Sequence, residues 1–287
     1  MKWTKPRAFA TAATFAAGVA LATASVSAAP DSKPAAAEKI AEKTAEIPAK
    51  AEDVGDRADR ILDAFVKSIQ EDKQLDDAKR ETALGLITSS RVDPDLRSMA
   101  ITDALAATND DYRAALTALA EEDLEKGVAS LEKLAKSDNP FMAADASFFL
   151  ARAHMMEERA EAAAPLLEKL VGESADHTLY AGEALYLLGA SQAALLHRDQ
   201  AIASFDKFLK ENPDAPERMR VGAMRMTEEL KMLKEGSLVD VQDRMGFSHR
   251  KLNIEDSGNR TRKEQDNIVA MLDVLIKEAE DKEGCGT

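Results

Sequence analysis

Four histidines, His154, His177, His197 and His249, are the side chains in this sequence best suited to ligate a transition metal or to exchange a proton near neutral pH. A zinc site needs three or four such ligands converging, and these four are far apart in the chain. His154 and Glu158 stand one helical turn apart and share a face, which supplies two ligands and no more. Adjacent acids recur at Glu121-Glu122, Glu157-Glu158 and Glu228-Glu229. In a chain with 52 acidic residues such pairs read as solvated helix faces rather than as a general acid and its base. The glycines are scattered, with no strand and glycine turn leading into a helix to cradle phosphate. No Gly-x-Ser-x-Gly elbow presents a nucleophile. The sequence thus offers no metal-ligand set, no cofactor motif and no catalytic constellation, and the expectation is a protein that is not an enzyme.

The remaining chemistry is that of surfaces, and the ends of the chain say where those surfaces are displayed. Lys2, Lys5 and Arg7 precede an uncharged run from Ala8 to Ala29 that ends in Val26-Ser27-Ala28. Basic, apolar and small residues in that order predict a secretory signal at 1–28 and a periplasmic or cell-envelope location for a bacterial protein. A retained anchor is the competing reading, but the run is rich in Ala where a bilayer span wants about 20 strongly apolar residues. Loss of 1–28 removes three positive charges and no negative ones, taking the net charge from −14 to −17. That acidity argues against nucleic acid as a partner and favours a basic one. Residues 29–55, an Ala/Glu/Lys text broken by Pro30, Pro34 and Pro48, cannot bury enough surface to fold and read as a disordered linker. The single cysteine, Cys285, excludes an intramolecular disulfide, so the fold must hold by packing alone.

Helical periodicity begins near Asp56 and hardly stops. Ile61, Leu62, Phe65, Val66 and Ile69 fall on one face, and Asp93-Pro94 opens a further helix. Strand signals are missing, so the class is all-α. Within 182–216, Leu188-Gly189, Ala201, Phe205 and Pro213 sit where a pair of antiparallel helices needs a close approach, a small residue, an aromatic filler and a stop. In those residues the segment resembles the tetratricopeptide repeat. Residues 144–178 resemble it more weakly: Leu150-Ala151 replaces Leu-Gly, Ala163, Leu167 and Leu170 mark the second helix, and Pro165 lies inside that helix. Residues 108–140 fit the same frame through Ala114-Ala115, Gly127, Leu131, Leu134 and Pro140.

The resemblance implies a right-handed α-solenoid of stacked antiparallel helix pairs over 108–235, the last helix (217–235) capping the stack. Residues 56–107 are expected as an N-terminal cap or degenerate repeats, 236–260 as a loop, and 261–283 as an extra C-terminal helix. In the family the first helix of each pair lines a concave groove. Tyr112, Phe148 and Tyr186 fall at equivalent places on that helix, with Glu183, Arg152, Met155 and Met156 around them. Aromatics, a charge and adaptable methionines suit capture of a peptide, while the same aromatics at helical spacing also suit packing between repeats. The functional expectation is an exported adaptor that binds a protein or peptide in this groove, without cofactors. The alternative is a structural envelope protein that self-associates through its C-terminal helix, docked on the solenoid or paired as a coiled coil with another copy.

Overall fold

A computed structural model describes residues 54–284. The signal at 1–28 and Cys285 lie outside the described residues, as does the linker at 29–55 apart from its last two residues, which already belong to the first helix. Among the described residues there are helices and no strands. The N-terminal group is α1 (Val54–Glu71), α2 (Asp77–Val92), the single turn α3 (Pro94–Arg97) and α4 (Ala100–Thr108). Three helix pairs follow: α5 (Asp110–Ala120) with α6 (Leu124–Leu134), α7 (Pro140–Met156) with α8 (Ala160–Val171), and α9 (Ala181–Ala194) with α10 (Arg198–Glu211). Then come α11 (Glu217–Met232), α12 (Leu238–Asn253) and α13 (Asn259–Gly284). From α5 to α11 each helix packs on its neighbours in sequence, which is the arrangement of a solenoid of the tetratricopeptide type.

Local chemistry starts and stops these helices. Asp76, Asn109, Asp123, Asn139 and Ser237 cap α2, α5, α6, α7 and α12, each side chain accepting from backbone N–H groups of the first turn. Asp93 caps α3, with Pro94 at the first helical position. The turns within the pairs are alike in detail. Glu122, Glu158 and Leu196 each take a left-handed conformation, with φ between 59° and 63°. In each turn that residue's N–H bonds back three residues, and the next residue's N–H bonds back five, as at Glu122 to Leu119 and Asp123 to Ala118. This double bond satisfies carbonyls that the helix end would leave orphaned. Glu255 repeats the same turn between α12 and α13, with φ 59° and Asp256 bonded to the Lys251 carbonyl.

Packing within the pairs follows the small residues. A Cβ on Gly189 would stand 2.8 Å from the Phe205 ring, and one on Gly127 would stand 2.5 Å from Leu119, so only glycine lets these helices approach so closely. Two apolar clusters form the core: one around Phe65, Ile101, Tyr112 and Phe141, the other around Phe148, Leu167, Leu188, Phe205 and Phe208. Phe149 and Leu166 touch both and make the core continuous. Helix α8 begins at Ala160, so Pro165 does not delay its start; its missing N–H leaves the Glu161 carbonyl without a helical donor.

One expectation of the fold is corrected. Residues 236–260 are not a loop: α12 fills most of that span, and its glycine, Gly246, sits in mid-helix. The segment is helical because tertiary contacts outweigh its weak local preference. Phe247 joins the second core cluster and Lys251 is buried against Glu161. The described residues after α11 therefore form a hairpin of two helices rather than a loop and one extra helix.

Candidate interaction surface

The first helices of the three pairs, α5, α7 and α9, carry every residue that the sequence points to. Tyr112 and Phe148 are fully buried, so neither lines a groove open to a ligand. The Tyr112 hydroxyl donates to Asp145 Oδ2, and Thr102 Oγ1 donates to the same oxygen at 2.8 Å. Tyr180 completes the cluster, its hydroxyl 2.8 Å from Thr102 Oγ1. Phe148 is stacked flat on the Tyr180 ring, with centroids 4.1 Å apart and an interplanar angle of 4°. These aromatics hold successive first helices together, which is the packing role that helical spacing of aromatics favours.

The other residues stay nearer the surface. The Arg152 guanidinium lies 5.6 Å from the centroid of the buried Phe148 and 5.8 Å from that of the half-buried Phe149, so the two rings hold a partly exposed cation. Met155 is half-buried and Met156 is 45% exposed, one turn along the same face. Glu183 and Tyr186 are half-buried on α9. The Tyr186 ring is tilted against Phe205 and Phe208 at 5.8 and 5.5 Å, and a Cβ on Gly222 of α11 would stand 3.0 Å from its hydroxyl. Arg152 and Glu183 both act electrostatically on the Tyr180 hydroxyl, the carboxylate raising it and the guanidinium lowering it. The structure thus keeps Arg152, Met155, Met156 and Glu183 at or near the surface, with Arg152 over the Phe148 ring that stacks on Tyr180, and takes Tyr112 out of the surface.

Asp145 is the residue that sequence reasoning passed over. Its signal was present: a lone carboxylate inside the apolar run Phe141 to Phe148. It is completely buried, and Oδ1 has no hydrogen-bond partner. Burial pushes its carboxyl up to about 6, against the opposing hydrogen bonds from Tyr112 and Thr102. The Tyr112 and Tyr180 hydroxyls are pushed well above the ordinary tyrosine range, by burial first and by the Asp145 charge second. His154 is buried, and its Nδ1 faces Glu157 Oε2 at 3.8 Å. Glu158, the neighbour on its helical face, instead accepts a hydrogen bond from Asn253 at 3.1 Å. Among the described residues no three His, Cys, Asp or Glu side chains converge to hold a metal ion.

The hairpin of α12 and α13 is seated across the turn ends of α7–α8 and α9–α10. Arg250 donates to the Ala194 carbonyl at 2.8 Å, and Arg260 to the Leu195 carbonyl at 2.6 Å. Lys251 Nζ lies 2.9 Å from Glu161 Oε1 and also pairs with Asp256. Burial lowers the Lys251 ammonium, but its hydrogen bonds to Asp256 and Glu161 outweigh that and hold it charged. Phe247 is the apolar anchor, buried among the core residues with the Arg260 guanidinium 4.8 Å from its ring centroid.

Residues 183–215 match the tetratricopeptide repeat family. The match spans α9 and α10, the pair in which Gly189 packs against the aromatic filler Phe205. No curated protein and no solved structure matches the chain. A tetratricopeptide repeat points to a scaffold for protein–protein interaction. No helix among the described residues is long and apolar enough to cross a membrane.

Proposed function

We propose that the protein is a non-enzymatic, exported adaptor that binds a protein or peptide on the face formed by α7 and α9. The observation that carries this reading is the set Arg152, Met155, Met156 and Glu183 on the first helices of two consecutive pairs, the second of them the matched repeat. Phe148 and Phe149 beneath Arg152 hold the guanidinium in place with no carboxylate partner among the described residues, leaving its donors for an incoming acceptor. The methionines supply an adaptable apolar contact beside it. Glu183 and the net charge of −14 favour a segment that also carries basic residues. Export rests on the order of basic, apolar and small residues over 1–28.

The test is in-cell crosslinking of the tagged protein, read by mass spectrometry, beside an Arg152→Ala/Met156→Ala/Glu183→Ala variant that leaves the buried aromatics intact. The expected result is one or two envelope proteins recovered with the wild type and lost with the variant. Recovery of copies of the same chain alone, from both baits, would remove the adaptor reading.

A further inference from the structure

Large apolar side chains are unevenly exposed. Of the 13 that the described surface displays, seven lie on α12 and α13, although the hairpin is only about a fifth of the described chain. On α12, Leu238, Met245 and Leu252 recur every seven residues and are 67%, 53% and 49% exposed. On α13, Val269 and Ile276 have the same spacing and are 59% and 55% exposed. Both stripes point the same way. At about 100° per residue, Leu238 lies about 180° from Phe247, the anchor that enters the core. By the same count Val269 lies about 180° from Arg260, which reaches the Leu195 carbonyl. The outer face of the hairpin, turned away from the solenoid, is therefore apolar where the end of a repeat array is ordinarily polar.

We propose that this face is covered by the same face of a second copy of the chain, the two hairpins forming an antiparallel four-helix bundle about a two-fold axis. Three features of the hairpin select that occupant. The first is area: the five side chains leave roughly 500 Å² of apolar surface per chain. A standard interface buries roughly 800 Å² per partner, little more than half of it apolar, so the patch is of dimer size. The second is charge. Helix α13 opens with the exposed Arg262 and Lys263, and at its far end Glu278, Glu280, Asp281 and Glu283 outweigh Lys277 and Lys282. An antiparallel pair sets each basic start beside an acidic end, whereas a parallel pair would stack acid on acid. The third is length. With 26 residues against 16, α13 outruns α12 by about 15 Å. Among the described residues that overhang, with Ile276 at its root, has no helix covering it and is exposed from 276 to 283, and a helix end of this length needs packing to persist in water. A two-fold bundle supplies the missing neighbour from the other copy.

The experiment is sedimentation velocity on the full mature chain from low to high micromolar concentration, with a Val269→Glu/Ile276→Glu variant alongside. The expected result is a two-chain mass that grows with concentration in the wild type. The variant should sediment as one chain with the same helical circular dichroism, because both positions are exposed. A wild type that stays at one-chain mass over the whole range overturns the proposal, and so does a variant that dimerises equally well. Orientation is read from zero-length crosslinks in a mixture of light and isotope-labelled protein. Links from Lys263 of one copy to acidic residues 278–283 of the other support the antiparallel pair. Links confined to the two tails overturn it. This outcome is independent of whether the α7–α9 face captures a partner.

Discussion

Asp145 makes the stability of the fold depend on pH. Its carboxyl is raised in the folded chain to about 6, from an ordinary value near 3.8, because burial disfavours the charge more than two hydroxyl donors favour it. Between those values the folded state binds the proton and the unfolded state releases it, so stability falls as pH rises through the window. The contribution is fully present below the unfolded value and is lost above about 6. Two units correspond to about 3 kcal/mol. Asp145→Asn keeps an oxygen for Tyr112 and Thr102 but cannot ionise. Urea unfolding should show the variant gaining on the wild type by roughly 2–3 kcal/mol between pH 4 and pH 7. A difference that stays flat over that range would show that Asp145 does not titrate there. At this scale the sequence was half legible. The equivalence of Tyr112, Phe148 and Tyr186 could be read from spacing. The burial of Tyr112 and Phe148 could not, because it depends on Thr102 from α4 and on Tyr180 from the turn before α9.

Among the elements, the turns inside the helix pairs are the most regular feature and the least visible in sequence. Glu122, Glu158, Leu196 and Glu255 share one backbone conformation, three of them glutamate and one leucine, and none is the glycine that normally marks it. Each accepts a left-handed φ that costs a side chain about 1 kcal/mol. Glu122 is exposed, with no side-chain contact that glycine would lose. Glu122→Gly should therefore raise the unfolding free energy by about 0.5–1 kcal/mol, visible as a higher urea midpoint at unchanged slope. A lower midpoint would mean that the unfolded chain's gain in freedom outweighs the relief. Helices α5 to α11 were readable because caps, periodicity and small residues agree. Helix α12 was not, since Gly246 and the polar stretch around it suggest a loop. Only its contacts with Glu161, Ala194 and the core explain its order.

Across the whole molecule, two kinds of cohesion coexist. The solenoid is held by helix faces packed on sequence neighbours. The terminal hairpin is held by one aromatic anchor and a handful of long charged side chains. Phe247→Ala removes the anchor, a change that costs about 3–5 kcal/mol in a packed core. We expect the loss to fall on the seat of the hairpin rather than on the repeats. In hydrogen exchange, amides of α12 and α13 should lose protection while those of α7 to α10 keep theirs. Equal loss along the chain would show that hairpin and solenoid are one cooperative unit. The all-α class and the repeat frame were legible at this scale because each pair repeats a local pattern. The seat of the hairpin was not, because it joins residues without any local signal in common.

That seat also sets an order of events as the chain is made. Contacts in the repeats join neighbouring helices and cost little loop closure, so the stack can form from its N-terminal side as each pair becomes available. Arg250 and Arg260 meet their carbonyls across 56 and 65 residues, and Asn253 meets Glu158 across 95. The surface that receives the hairpin is complete before the hairpin has been synthesised. Among the described residues the hairpin is the last to be made and the last to dock and, held by one aromatic anchor, the first to let go.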